Sequence, residues 1–160
     1  MDNAFEAVRA AMVAEQVRAR GVRDPRVLQA MAAVPRHRFV APTLAGEAYA
    51  DYPLPLTDGQ TISQPFMVAA MAELLQAPAG SRVLEIGAGC GYLAAVLAAM
   101  GLQVYAMELR PQLARQAGRL LRALGYPVRL IAADGYAGWR EAAPFAGIVV
   151  SAAPPAIPAD

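Results

Sequence analysis

The apolar positions of this chain fall into two kinds of pattern. Stretches in which they recur every three or four residues alternate with short, nearly continuous apolar blocks, which predicts helices interleaved with buried parallel strands. Residues 3–20 make the first helical stretch, with Phe5, Val8, Met12 and Val17 close to one face and Gly21 as the stop. A second, shorter helix begins at Asp24-Pro25, an N-cap followed by proline at the first helical position; it carries Val27, Leu28 and Met31 inward and ends at Pro35. Pro42, Pro53, Pro55 and Gly59 break up residues 41–61, which predicts a long shaped loop. Helical spacing returns over 66–76, with Met67, Met71, Leu74 and Leu75 expected to face a core.

The densest apolar block comes next. Val83 to Ile86 reads as a strand interrupted by Glu85, and it runs through Gly87-Ala88-Gly89-Cys90-Gly91-Tyr92 into an alanine-rich helix over 93–100. Further strands are predicted at 102–107, 128–133 and 145–150. A helix over 112–124 lies between the first two of these, with Leu113, Leu120, Leu121 and Leu124 inward and Gly125 as its C-cap. The pattern is that of an α/β fold, a doubly wound and mostly parallel sheet behind N-terminal helices. A single domain over 1–160 is expected, with helices and a loop region over 1–65 and the sheet over 66–160.

Composition narrows the function. Lys+Arg 14 against Asp+Glu 13 gives a net charge of +1, so no overall field favours nucleic acid or an anionic membrane. Residues 86–107 carry no charge and are long enough to raise the question of a membrane span, but their glycines and their turn, helix and strand signals argue against one. Asp2 and Glu6 near the start, without a compact apolar core between, give no signal-peptide pattern, and a cytoplasmic protein is expected. The one cysteine, Cys90, and the one histidine, His37, provide neither an internal disulfide nor a His/Cys metal cluster, and no metal is expected.

The candidate chemistry lies at the predicted strand ends. Gly87, Gly89 and Gly91 lack a Cβ and accept positive φ, so a ligand can lie against bare peptide groups beside a helix N-terminus. Tyr92 stands where a dinucleotide fingerprint needs its third glycine, which disfavours a nicotinamide cofactor. Glu85, two residues before Gly87, fits instead the acidic-x-Gly-x-Gly pattern of S-adenosylmethionine sites, with its carboxylate near the cationic methionine end. Glu108 falls about 20 residues past Gly87, where doubly wound sheets hold a ribose diol. Asp134-Gly135 reads either as an adenine contact or as a simple turn. On its own, Ser63 or Gln64 reads as the cap of the helix entered at Pro65, and Arg36-His37-Arg38 as an anion site or a solvated surface run.

Taken together, these segments resemble the protein-L-isoaspartate O-methyltransferase family over nearly the whole chain. The resemblance rests on Val83 to Tyr92, on Ala33-Val34-Pro35-Arg36 with Phe39-Val40, and on Asp134-Gly135 with Gly138-Trp139. It also rests on Ala152-Ala153-Pro154-Pro155 with Ile157-Pro158 and, most specifically, on Gly59-Gln60-Thr61-Ile62-Ser63-Gln64-Pro65. It implies S-adenosyl-L-methionine as cofactor, with S-adenosyl-L-homocysteine as product, and isoaspartyl proteins and peptides as partners. In residue terms it makes Ser63 the active-site serine, with Thr61 and Ile62 beside the substrate. Glu85, Gly87, Gly89, Gly91, Glu108, Asp134 and Gly135 become the cofactor site. Another methyl acceptor, or a cofactor-binding module without turnover, are the alternative readings.

Three departures from the family stand out. Cys90 replaces a small hydroxyl residue, Ala146 stands where an acid usually precedes the fourth strand, and family members continue past Asp160 with a helix and closing strands. A sheet without those strands is expected to expose an apolar edge, so a monomer is expected with that edge as the route to association.

Overall fold

The computed structural model describes residues 2–152, so Ala153-Pro154-Pro155 and Ile157-Pro158 lie outside the described residues. Its centre is a parallel sheet of β3 (Arg82–Ile86), β4 (Gln103–Glu108), β5 (Val128–Ala132) and β6 (Gly147–Val150) in the order β5-β4-β3-β6. A small antiparallel pair, β1 (Leu54–Pro55) and β2 (Thr61–Ile62), precedes it. The helices are α1 (Glu6–Ala11), α2 (Pro25–Ala33), α3 (Pro65–Leu74), α4 (Tyr92–Ala99) and α5 (Pro111–Ala123). The expected α/β architecture, a parallel sheet flanked by helices, is therefore present. Among the described residues, no helix is long and apolar enough to cross a membrane.

Each crossover places its helix against the sheet. α4 is buried over Tyr92, Leu93, Ala94, Ala95, Val96 and Leu97 because α2 and α3 cover it on the side away from β4. Its alanines let those helices approach closely. The apolar face of α5 packs Leu113, Ala114, Ala117 and Leu121 against β4 and β5.

Several local expectations need correction. The stretch 3–20 is not one α-helix: a 3-10 turn (Asp2–Phe5) leads into α1, which continues as a wider π-type coil (Met12–Arg18). That widening brings Met12 and Val17 onto one buried face, while Val8, in the turn before it, is 48% exposed. In α3 the core face is Val68, Ala69 and Ala72, and Met67 and Leu74 point outward, since with so few polar residues the apolar pattern cannot choose a face. The long shaped loop expected over 41–61 holds 3-10 turns (Pro42–Glu47 and Thr57–Gly59) and the short β1–β2 pair, whose second strand reaches Ile62. Arg36 and His37 are neither an anion cluster nor a solvated run. Both are buried. The Arg36 guanidinium lies 4.9 Å from the Tyr92 ring centre with its Nε donating to the Ala48 carbonyl at 2.6 Å. His37 stacks on Phe5 and places Nδ1 2.8 Å from the Tyr49 hydroxyl.

The Asp24 cap forms as expected. Its carboxylate accepts from the Arg26 backbone N–H at 2.8 Å and pairs with the Arg26 guanidinium at 2.7 Å. Those contacts hold its pKa below the usual carboxylate value, so its contribution is present above about pH 4 and lost as pH falls through the depressed folded value. Asp24→Ala should cost about 0.5–2 kcal/mol in urea unfolding at neutral pH, less in acid; equal losses at both pH values would remove the carboxylate from the account.

Candidate active site

The strand order turns at β3, with β4 on one side and β6 on the other, so a crevice opens at the carboxyl end of β3. The glycine loop lies across this opening. Gly87 and Ala88 N–H groups donate to the Met107 carbonyl at 2.9 and 3.0 Å, tying the loop to β4. Gly87 has φ +90°, and a Cβ added there would sit 2.7 Å from the Ala152 Cβ and 2.9 Å from its backbone nitrogen. Only glycine fits both conditions. Gly91, at φ +87°, turns the chain into α4.

Glu85 is 1% exposed on β3 and faces this crevice. Its Oε1 lies 3.3 Å from the Ser151 hydroxyl, just after β6, and its Oε2 has no hydrogen-bond partner among the described residues. Burial pushes the Glu85 carboxyl up to about 8, with the nearby Glu108 charge acting in the same direction and Ser151 opposing it. An orphaned, buried carboxylate oxygen at a glycine-lined cavity fits a cationic ligand group.

The same cavity, of about 40 Å³, is lined by Thr61, Ile62, Ser63, Gly87, Gly89 and Ser151. Ser63 thus reaches the glycine loop although the two are far apart in sequence. It does not cap α3: Gln64 occupies the cap position without a side-chain cap, its amide donating instead to the Asp51 carboxylate at 2.7 Å. A larger neighbouring cavity of about 470 Å³ runs past Arg38, Leu56, Leu113 and Gln116. Cys90 borders both, and burial pushes its thiol up to about 11, so the sulfur stays protonated near neutral pH.

Glu108 and Asp134 close the row of acids at adjacent strand ends. Glu108 Oε2 accepts from the Gly89 N–H and Oε1 from the Arg110 N–H, both at 2.9 Å, so this carboxylate shapes the glycine loop. Asp134 follows β5 and accepts from the Tyr136 N–H at 2.9 Å, which is a turn-capping contact. Gly135 lies so close to Ile86 that any Cβ would overlap the Ile86 side chain. Glu85, Ser63, Gly87 and Gly89 line one cavity; Gly91 turns away toward Leu121, and Glu108 and Asp134, at the ends of β4 and β5, do not line it either. Sequence reasoning assigned no role to Ser151, whose hydroxyl also lies 2.8 Å from the Gly87 carbonyl. A hydroxyl one residue past a strand on the far side of β3 was the available signal.

With this geometry in place, similarity to known proteins becomes informative. Residues 8–160 match the family model described as protein-L-isoaspartate(D-aspartate) O-methyltransferase. The chain belongs to that family. A protein-L-isoaspartate O-methyltransferase of Methylorubrum extorquens is 59% identical over 150 residues, covering 94% of this chain and 66% of the relative. One from Gloeobacter violaceus is 57% identical over 148 residues, covering 92% of this chain and 72% of that protein. Among solved structures, a protein-L-isoaspartate O-methyltransferase superposes with a TM-score of 0.79 at 30% identity, over 89% of this chain and 47% of that one. A Plasmodium falciparum chain solved with S-adenosyl-L-homocysteine gives 0.77 at 23% identity over 94% of this chain and 76% of that one, a likeness of fold. The chain therefore spans slightly under two thirds of the Methylorubrum relative and about half of the first solved structure.

Proposed function

We propose that this protein transfers a methyl group from S-adenosyl-L-methionine to the free carboxylate of L-isoaspartyl residues in damaged proteins and peptides, leaving S-adenosyl-L-homocysteine. On this reading one domain over residues 1–160 acts as a cytoplasmic monomer. The observation that carries the reading is the convergence of Ser63, from the family-specific heptapeptide, with the buried Glu85 and the glycine loop in one cavity.

Bound S-adenosyl-L-methionine would supply an electrophilic methyl group. Glu85 offers an unpartnered carboxylate oxygen to its cationic amino-acid end. The Gly87 to Gly91 turn would present backbone to it, Glu108 at the β4 end would hold the ribose, and Asp134 with Gly135 after β5 would meet the adenine. An isoaspartyl carboxylate is ionised at neutral pH, so its oxygen can attack without a general base. The protein's task is then alignment and exclusion of water. The Ser63 hydroxyl, with Thr61 and Ile62 alongside, is suited to orient that carboxylate. The methyl ester then loses methanol as the adjacent backbone nitrogen closes a succinimide, and hydrolysis returns some normal aspartate.

Methyl transfer from labelled S-adenosyl-L-methionine to paired isoaspartyl and aspartyl peptides tests the reading. Labelling confined to the isoaspartyl member supports it; equal or no labelling overturns it. Ser63→Ala should lower kcat by roughly 10- to 150-fold, the worth of one hydrogen bond to a charged group, while leaving S-adenosyl-L-homocysteine affinity unchanged. Unchanged kcat would take Ser63 out of the site.

A further inference from the structure

Glu85 and Ser151 meet in an arrangement that ordinary cofactor binding does not explain. The Ser151 hydroxyl has one proton and three oxygens around it: the Gly87 carbonyl at 2.8 Å, the Ile86 carbonyl at 3.2 Å and Glu85 Oε1 at 3.3 Å. The two carbonyls can only accept, and the shortest contact takes the proton. With that proton given to Gly87, the 3.3 Å contact to Glu85 Oε1 is a hydrogen bond only when the carboxyl carries its own proton. Donation to an ionised Glu85, the arrangement in which Ser151 opposes the raised pKa, gives up the 2.8 Å contact for a 3.3 Å one.

The surroundings favour the same state. Glu85 is 1% exposed, and its Oε2 has no partner among the described residues, a costly position for an ionised oxygen. The charged and titratable groups around it are Glu108 on the neighbouring strand β4, Cys90 in the loop and Arg36 behind Cys90 and Tyr92. Glu108 repels a second negative charge. The Arg36 guanidinium acts on Cys90 and Tyr92, and among the described residues no cation acts on Glu85 itself. Burial correspondingly raises its pKa to about 8.

We propose that Glu85 and Ser151 form a proton-holding pair in the ligand-free protein, and that seating a cationic amine against Glu85 drives its proton into solvent, coupling cofactor capture to proton release. The balance is simple: the neutral carboxylic acid gives its proton to the buffer, and the resulting carboxylate pairs with the ammonium group. An adjacent positive charge favours the ionised acid, which reverses the effect of burial. The inference rests on the cofactor reading above.

The test is calorimetry of S-adenosyl-L-homocysteine binding in two buffers of different ionisation enthalpy, at about pH 6.5, where an α-amino group is already protonated in free solution. Close to one proton should be released per ligand, and Kd should fall about tenfold per pH unit between roughly pH 6 and 7.5, pass through a minimum near about pH 8 and rise again as the ligand's own ammonium group loses its proton. Methylthioadenosine, which lacks the amino-acid end, should release none. Glu85→Gln should bind S-adenosyl-L-homocysteine with no proton release and a flat pH profile. Should that variant fail to fold, the wild-type comparison of the two ligands decides alone. Binding of S-adenosyl-L-homocysteine without proton release, or equal release by both ligands, overturns the proposal and leaves the cofactor reading standing. No binding by either ligand overturns both.

A structural readout runs alongside. A carboxyl whose folded pKa is raised binds more protons folded than unfolded, so the ligand-free protein should lose stability as pH rises from about 4.5 to about 8 and change little outside that window. Glu85→Gln should flatten this slope.

Discussion

Glu108→Ala is expected to weaken S-adenosyl-L-homocysteine binding by roughly 10- to 150-fold, about 1.5–3 kcal/mol, in equilibrium titration. Two losses combine. The carboxylate proposed to meet the ribose disappears, and the Gly89 and Arg110 N–H groups that it accepts at 2.9 Å lose their partner. The first loss acts on the ligand directly and the second on the shape of the loop that receives it. Glu108→Gln separates them: its amide oxygen can keep one backbone contact, so loop order should survive in part while the charge is gone. Should Glu108→Ala bind as tightly as the parent protein, neither loss bears on the ligand and Glu108 leaves the proposed site.

Gly87→Ala should cost about 2–4 kcal/mol in chemical denaturation and abolish measurable cofactor binding. At φ +90° an alanine is strained by about 1–2 kcal/mol. The added methyl also meets the Ala152 Cβ at 2.7 Å and its backbone nitrogen at 2.9 Å. Backbone cannot swing aside as a long side chain can. Relief would push the segment after β6 away from β3, taking Ser151 from Glu85. A variant as stable as the parent would show that this segment yields freely.

Much of the architecture was legible because buried parallel strands read as nearly continuous apolar blocks, and Val83 to Ile86, 102–107 and 128–133 do so, each broken by a single polar residue, Glu85, Gln103 and Arg129. Glycine at 87, 89 and 91 declared the loop for an equally local reason, since such φ values exclude most side chains. The misreadings share another cause. α3 is apolar nearly all round, so nothing in its sequence tells Met67, which is exposed, from Val68, which is buried. Arg36 reads as a surface charge until Tyr92 and Ala48 are seen around it.

The sequence by itself determined the order of strands and helices, the glycine turn and the family heptapeptide, because each depends on residues close together in the chain. Only the tertiary structure decided which distant groups share a cavity. Ser151 meets Glu85 because β6 pairs with β3 on the side opposite β4, and Ser63 meets the glycine loop because α3, which it precedes, packs against α4, which the loop enters. The protonation of Glu85 belongs to the same level, since burial and neighbouring charge are properties of the packed interior and not of any stretch of chain.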